Sequence, residues 1–220
     1  FVINADAAWF RGKIFNRKKY TEQKLDKMNW TMGYLTFYLG IKCKLPQVNH
    51  HNYYLGGNFE EYAHNVLKDP DTLQKPYYYV NVLSKHNIDC APEGCESLFF
   101  VCPVPNLQVK PHWPDKDEIV NSIIDDFSKR IKKDIRPEIV SKTIYTPEDW
   151  QNQFNLHRGS GLGLSHSMNQ IGALRPANFD EKFKNVFYVG ASTVPGAGLP
   201  MAIISSKLAF ERIVTFQDKR

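Results

Sequence analysis

Cysteine is scarce, long apolar runs are missing, and neither sign of charge dominates. The 220 residues hold four cysteines, Cys43, Cys90, Cys95 and Cys102, with no CxxC pair. That spacing fits neither a zinc site nor a dense disulfide framework, and it points to free thiols in a reducing, cytoplasmic setting. No apolar stretch approaches the length that spans a bilayer, and no charged-then-apolar pattern opens the chain, so any membrane contact is expected to be peripheral. The formal charge is +5, and the basic residues are scattered apart from runs at 17–19 and 129–133. Each run reads as a solvated basic face, with attraction to an anionic membrane surface as the alternative, and nucleic acid binding gains no further support.

Several chemical patterns are missing too. A GxGxxG turn, which holds an adenine dinucleotide, does not occur: Gly161 and Gly163 are followed by His166 where the third glycine belongs, and Gly196 and Gly198 by Met201. There is no GxSxG elbow, so Ser165-His166-Ser167 does not read as a hydrolase. His50 and His51 would alternate faces on a strand and could not jointly chelate one ion, and no metal site is expected. The chain opens on Phe1, without an initiator Met, directly into an apolar run. It is expected to be the C-terminal part of a longer protein.

What is present centres on residues 185–214. Val186 to Val189 form a short apolar run ending at Gly190, the pattern of a strand buried on both faces of a mostly parallel sheet. Gly190, Gly196 and Gly198 come next, in a turn where main chain can approach a planar or phosphorylated ligand closely. Pro200 suits a first helical position, and Met201, Ile204 and Leu208 are expected as the helix's apolar stripe. Strand, glycine turn and helix N-terminus together make an anion site.

The words of this stretch, VGASTVPGAGLP followed by a small-residue helix, resemble the C-terminal flavin motif of the phytoene desaturase family, carotenoid desaturases among the amine-oxidase-like flavoproteins. Asn4-Ala5-Asp6, Ala91-Pro92-Glu93-Gly94, the run from Phe154 to Ser167 and Arg175-Pro176 stand upstream in the family's order. The resemblance implies an α/β plus α+β architecture: residues 1–10 end a segment of a Rossmann-like FAD-binding domain, 11–150 form an antiparallel-sheet substrate domain with helices, and 151–220 return to the FAD domain. It implies FAD held by Gly190, Ala191, Ser192, Gly196, Gly198, Leu199, Pro200 and Met201. It further implies dehydrogenation of phytoene or a related polyene, peripheral membrane association, and quinone or oxygen as electron acceptor. Arg175 is a candidate catalytic residue, a fixed charge near the flavin, with a loop-pinning surface ion pair as its alternative. His166 is a candidate at the substrate side, or a packing residue. Val194 stands where many relatives carry His, which leaves open a desaturase or an oxygenase of another carotenoid, C30 diapophytoene or a hydroxylated one. Another flavin oxidoreductase and a non-catalytic lipid or carotenoid binder are the rival readings.

The remaining elements are read from periodicity and punctuation. Strands are expected at 34–41, 51–55, 77–83, 98–104 and 139–145, and short helices at 21–28 and from Asn58 to Leu67. Asp115 and Glu118 suggest a capping box for a helix whose inner face is Ile119, Ile123, Phe127 and Ile131, and residues 146–150 read as a turn. Tyr34, Phe37, Tyr38, Tyr53, Tyr54, Tyr77, Tyr78 and Tyr79 load the sheet with rings that either pack a core or, by the resemblance, line a polyene tunnel.

Overall fold

The computed structural model describes residues 1–70 and 77–217. In chain order, β1 (Val2–Ile3) leads into α1 (Ala7–Trp9), a π-helical turn at Phe10–Ile14 and α2 (Glu22–Leu25). Then come β2 (Gly33–Ile41), β3 (His51–Tyr54), α3 (Phe59–Asn65), β4 (Tyr78–Val82) and β5 (Glu96–Val104). They are followed by α4 (Lys116–Arg130), β6 (Ile139–Tyr145), α5 (Pro147–Phe154), β7 (Phe187–Tyr188) and α6 (Leu199–Gln217). The elements form two units, one made of residues 1–31 and 151–220, the other of 32–150. The boundary falls after Thr31 rather than near residue 10, because Tyr20, Leu25 and Trp30 bury with Ala8 and Leu164 in a small core of the first unit.

The second unit is a five-stranded antiparallel sheet in the order β3-β4-β5-β2-β6. Alternation puts Leu35, Phe37, Leu39, Val80, Val82, Leu98, Phe100 and Cys102 on one face, where they bury against Val120, Ile123, Ile124 and Phe127 of α4. Ile119 and Ile131 lie at the margin of that face, only partly buried. Asp115 stands at the N-cap of α4 but makes no side-chain cap, since its Oδ2 takes the Lys110 ammonium at 2.6 Å instead. Asn58 does cap α3, its Oδ1 accepting from the N–H groups of Glu60 and Glu61. Residues 146–150, expected as a turn, instead start α5. Thr146 N–H donates to Asp149 Oδ2 at 2.8 Å while Asp149 N–H donates to Thr146 Oγ1 at 3.3 Å, a reciprocal box built with Asp in place of Glu.

The opposite sheet face carries Tyr34, Tyr38, Tyr53, Tyr79, Phe99 and Tyr145, as the register dictates. Tyr38 stacks on Phe99 at 4.8 Å and meets Tyr145 edge-on at 6.1 Å, and Tyr53 leans on Tyr79 at 5.0 Å. The ring-rich strands thus divide: Phe37, Tyr54 and Tyr78 join the covered core, whereas Tyr34, Tyr38, Tyr53 and Tyr79 do not. His50 sits in a bend before β3, not in the strand, so its ring lies 4.0 Å from that of His51 instead of on the other face, and it also stacks on His86 at 5.1 Å. Among the described residues no group of His, Cys, Asp or Glu is arranged to hold a metal ion, and all four cysteines are free. No helix among the described residues is long and apolar enough to cross a membrane.

Candidate functional site

The first unit is organised around β7 and the glycine turn that joins it to α6. Phe187 and Tyr188 pair in parallel with Val2 and Ile3, through Phe187 N–H to Phe1 O at 2.9 Å and Val189 N–H to Ile3 O at 3.0 Å. Val186, Phe187 and Tyr188 are buried, as an apolar run in a parallel pair should be. The chain then turns through Gly190, Gly196 and Gly198, with φ of 99°, 136° and 121°, and enters α6 at Leu199 with Pro200 in its first turn. Those angles lie in the left-handed range that only glycine occupies without strain.

Helix α6 faces the turn with small residues. Ser205 and Ala209 are buried, whereas Ile204 is exposed and Met201 and Leu208 are half-buried, so the expected apolar stripe is not the inward face. The reason is a polar contact. Ser205 Oγ accepts the Gly190 N–H at 3.1 Å and lies 3.1 Å from Thr193 Oγ1, which requires close approach of the helix to the turn.

The other segments singled out by resemblance converge here. The Asn4 side chain lies against Gly190, where an added Cβ would stand 2.8 Å from Asn4 Oδ1. Asp6 caps α1 by accepting Trp9 N–H at 2.9 Å, and also accepts from the His157 backbone N–H and the Ser192 hydroxyl. Its burial raises the carboxyl's pKa, with those hydrogen bonds pulling the other way. The His157 ring leans on Trp30 at 4.4 Å, tilted by 44°, and burial, then the Arg158 charge, lowers its pKa. A Cβ on Gly163 would touch Ser192 Oγ at 3.5 Å.

Arg175 lies beneath the turn, 3% exposed. Its guanidinium donates to the carbonyls of Thr193, Ser165, Gln170, Leu164 and Ala191, at 2.8–3.4 Å. It therefore ties the 164–170 loop to the glycine turn, and its partners are buried carbonyls, not a surface carboxylate. Asn178, fully buried, does the same from the other side, donating to Tyr188 O, Val194 O and the hydroxyls of Thr193 and Ser205. His166 is exposed over the turn, its Nε2 accepting Ala197 N–H at 3.3 Å in space that a Cβ on Gly196 would fill.

The outcome is a cradle of amide donors. The N–H groups of Ser192, Gly196, Gly198, Leu199 and Met201 donate to no acceptor among the described residues, and four of them stand at or just before the N-terminus of a 19-residue helix. A phosphate, or the polar edge of a planar ring, is the chemical complement of that set. Gly190, Ala191, Ser192, Gly196 and Gly198 belong to this one turn, and Leu199, Pro200 and Met201 to the first turn of α6 that follows it. Asn178, Ser205 and Gln170 were not legible as contributors, because single amides and hydroxyls carry no spacing motif. The cue available was their nearness in sequence to Arg175-Pro176 and to the glycine turn.

Comparison with known proteins defines the class first. The fold is shared with a solved oxidoreductase from Methanosarcina mazei, at a TM-score of 0.51 and 13% identity over 96% of this chain and 42% of that one. No family model matches the sequence. A zeta-carotene-forming phytoene desaturase of Myxococcus xanthus is 35% identical over 98% of this chain, and a phytoene desaturase of Fusarium fujikuroi is 30% identical over 97%. This chain belongs to the phytoene desaturase family. It spans 42% and 41% of the lengths of those two relatives.

Proposed function

We propose that the chain forms part of an FAD-dependent carotenoid desaturase that introduces conjugated double bonds into phytoene or a related polyene. The observation that carries this reading is the unpaired amide cradle at Ser192 and Gly196 to Met201, built from the family's flavin motif and buttressed by Asn4, Asp6 and Arg175. FAD, when bound there, supplies the two-electron acceptor. The chain's own residues do the holding. The glycines leave no Cβ between main chain and ligand, the N–H groups of Ser192, Gly196, Gly198, Leu199 and Met201 donate, and Pro200 starts the helix whose dipole favours electron-rich groups. His166, exposed above the turn, is the proposed side chain on the substrate side.

Residues 1–31 and 151–220 are proposed as part of the Rossmann-like FAD domain, and 32–150 as the substrate domain. The ring-bearing sheet face with Tyr38, Phe99, Tyr53 and Tyr79 offers the apolar surface a polyene needs, while the opposite face is spent on the core. A substrate of that apolarity resides in lipid, so the protein is proposed to work at the cytoplasmic surface of a membrane as a peripheral protein, passing electrons to quinone or oxygen.

Expression of the full reading frame in a bacterial host that accumulates phytoene, with chromatography of the pigments, tests this. Zeta-carotene, neurosporene or lycopene is expected, and the number of new double bonds gives the step count. Unchanged phytoene in cells where the protein is soluble and carries flavin would reject the C40 assignment and move the reading to C30 diapophytoene or hydroxylated carotenoids.

A further inference from the structure

We propose that Arg175 is the positioning residue of the flavin turn, acting by aiming backbone N–H groups rather than by its charge; the proposal rests on the FAD reading of the same turn. The guanidinium is buried, has no carboxylate partner among the described residues, and spends its donors on carbonyls of two separate segments: Leu164, Ser165 and Gln170 on one, Ala191 and Thr193 on the other. In a trans peptide the C=O and the N–H of one unit point in opposite directions. Every carbonyl turned toward Arg175 therefore turns the next residue's N–H away from it. Two of those N–H groups are used internally, Ser165 to Asn29 O at 2.9 Å and Val194 to Pro176 O at 3.1 Å. Those of Ser192, His166 and Ile171, behind the carbonyls of Ala191, Ser165 and Gln170, have no acceptor among the described residues. Arg175 thus sets the direction of one cradle donor, Ser192 N–H, and of a second on the loop whose His166 side chain touches the turn.

A planar fork with five N–H donors can hold this set of carbonyls; an ammonium with three donors on one atom cannot reach them all. That difference separates placement from charge. In the full-length holoenzyme, Arg175→Lys and Arg175→Gln are each expected to weaken FAD binding at least tenfold, while the reduction potential of flavin bound at saturating FAD stays at the wild-type value in both. Arg175→Lys binding FAD like wild type, with Arg175→Gln showing a displaced potential, would overturn the proposal in favour of a charge effect. Should either variant fail to fold, amide hydrogen exchange on the wild-type protein decides the matter: addition of FAD is expected to protect the Ser192 and His166 N–H groups. Flavin bound without protection of either amide overturns the role of Arg175 alone. A full-length protein that holds no flavin overturns the FAD reading itself.

Discussion

Asp6 and His157 show how much of the site depends on single buried groups. The Asp6 carboxylate joins the start of α1, the 157 backbone and the Ser192 hydroxyl. The His157 imidazole titrates below the ordinary value of about 6.5, because burial and then Arg158 depress its pKa. As pH falls, the unfolded chain therefore takes up its proton before the folded one does, so stability declines below about pH 6.5 until the folded pKa is passed. Urea midpoints at pH 7.5 and 5.5 are expected to differ more for wild type than for His157→Gln, and equal differences would sink the argument. Gly190 is the stricter position. With φ of 99° and Asn4 Oδ1 at 2.8 Å from any Cβ, Gly190→Ala is expected to cost about 1–3 kcal/mol in backbone strain, read from the urea midpoint, and in the full-length holoenzyme to lose flavin, read from the bound-flavin absorbance.

Helix α4 is the element on which the sheet depends. Phe127 is fully buried, edge-on to Phe100 at 5.2 Å and to Tyr54 at 5.4 Å, and Phe37 stacks on Phe100 at 4.3 Å. Phe127→Ala is expected to cost about 3–5 kcal/mol, since the rigid strands on the other side of the cavity cannot close over it; a urea midpoint within error of wild type would show that they can. Ile123 and Phe127 of this inward face were legible from the sequence, as was β6, because helical and strand periods are physical consequences of one-sided burial, whereas Val120 and Ile124 take the inward places expected of Ile119 and Ile131. What escaped was decided by partners distant in the chain. Asp115 had the right offset to Glu118 but is diverted to Lys110. His50 belongs to a bend rather than to β3, which no alternation rule reveals. The inner face of α6 could not be read from hydropathy, because Ser205 is buried to serve Gly190, and a polar side chain with a partner outranks an exposed isoleucine. The glycine turn itself was visible, since its strand, glycines and proline stand together in one stretch, whereas the Asn178 network under it brings together residues from separate ones.

The two units differ in how they are assembled, and their expected behaviour differs accordingly. Residues 32–150 are contiguous and carry a complete core: the sheet's covered face, α4 and Trp113 all come from that span. Expressed alone, 32–150 is expected to fold, giving a single cooperative urea transition and dispersed amide resonances. The unit made of 1–31 and 151–220 is built otherwise. Among the described residues its sheet is the parallel pair β1 and β7, with a single antiparallel bridge from Phe179 to Phe187; Phe1 and Val2 are exposed, and so are Leu199, Ile203 and Phe210 on α6. A groove of about 460 Å³ between Phe179, Phe183, Phe187 and Phe216 lies open beside it. Parallel strands are ordinarily covered on both faces, and a dinucleotide is ordinarily gripped by a GxGxxG turn, which these 220 residues do not contain. The amide cradle alone supplies only part of the contact area that a cofactor as long as FAD requires. Residues 1–220 are therefore expected to bind FAD weakly or not at all: after mixing at micromolar concentrations and ultrafiltration, the yellow colour should pass through the membrane with the buffer. Stoichiometric flavin retained with this chain would mean that the turn, α6 and their buttress at Arg175 and Asp6 grip the cofactor without a glycine-rich dinucleotide turn, and the need for such a turn would have to be given up.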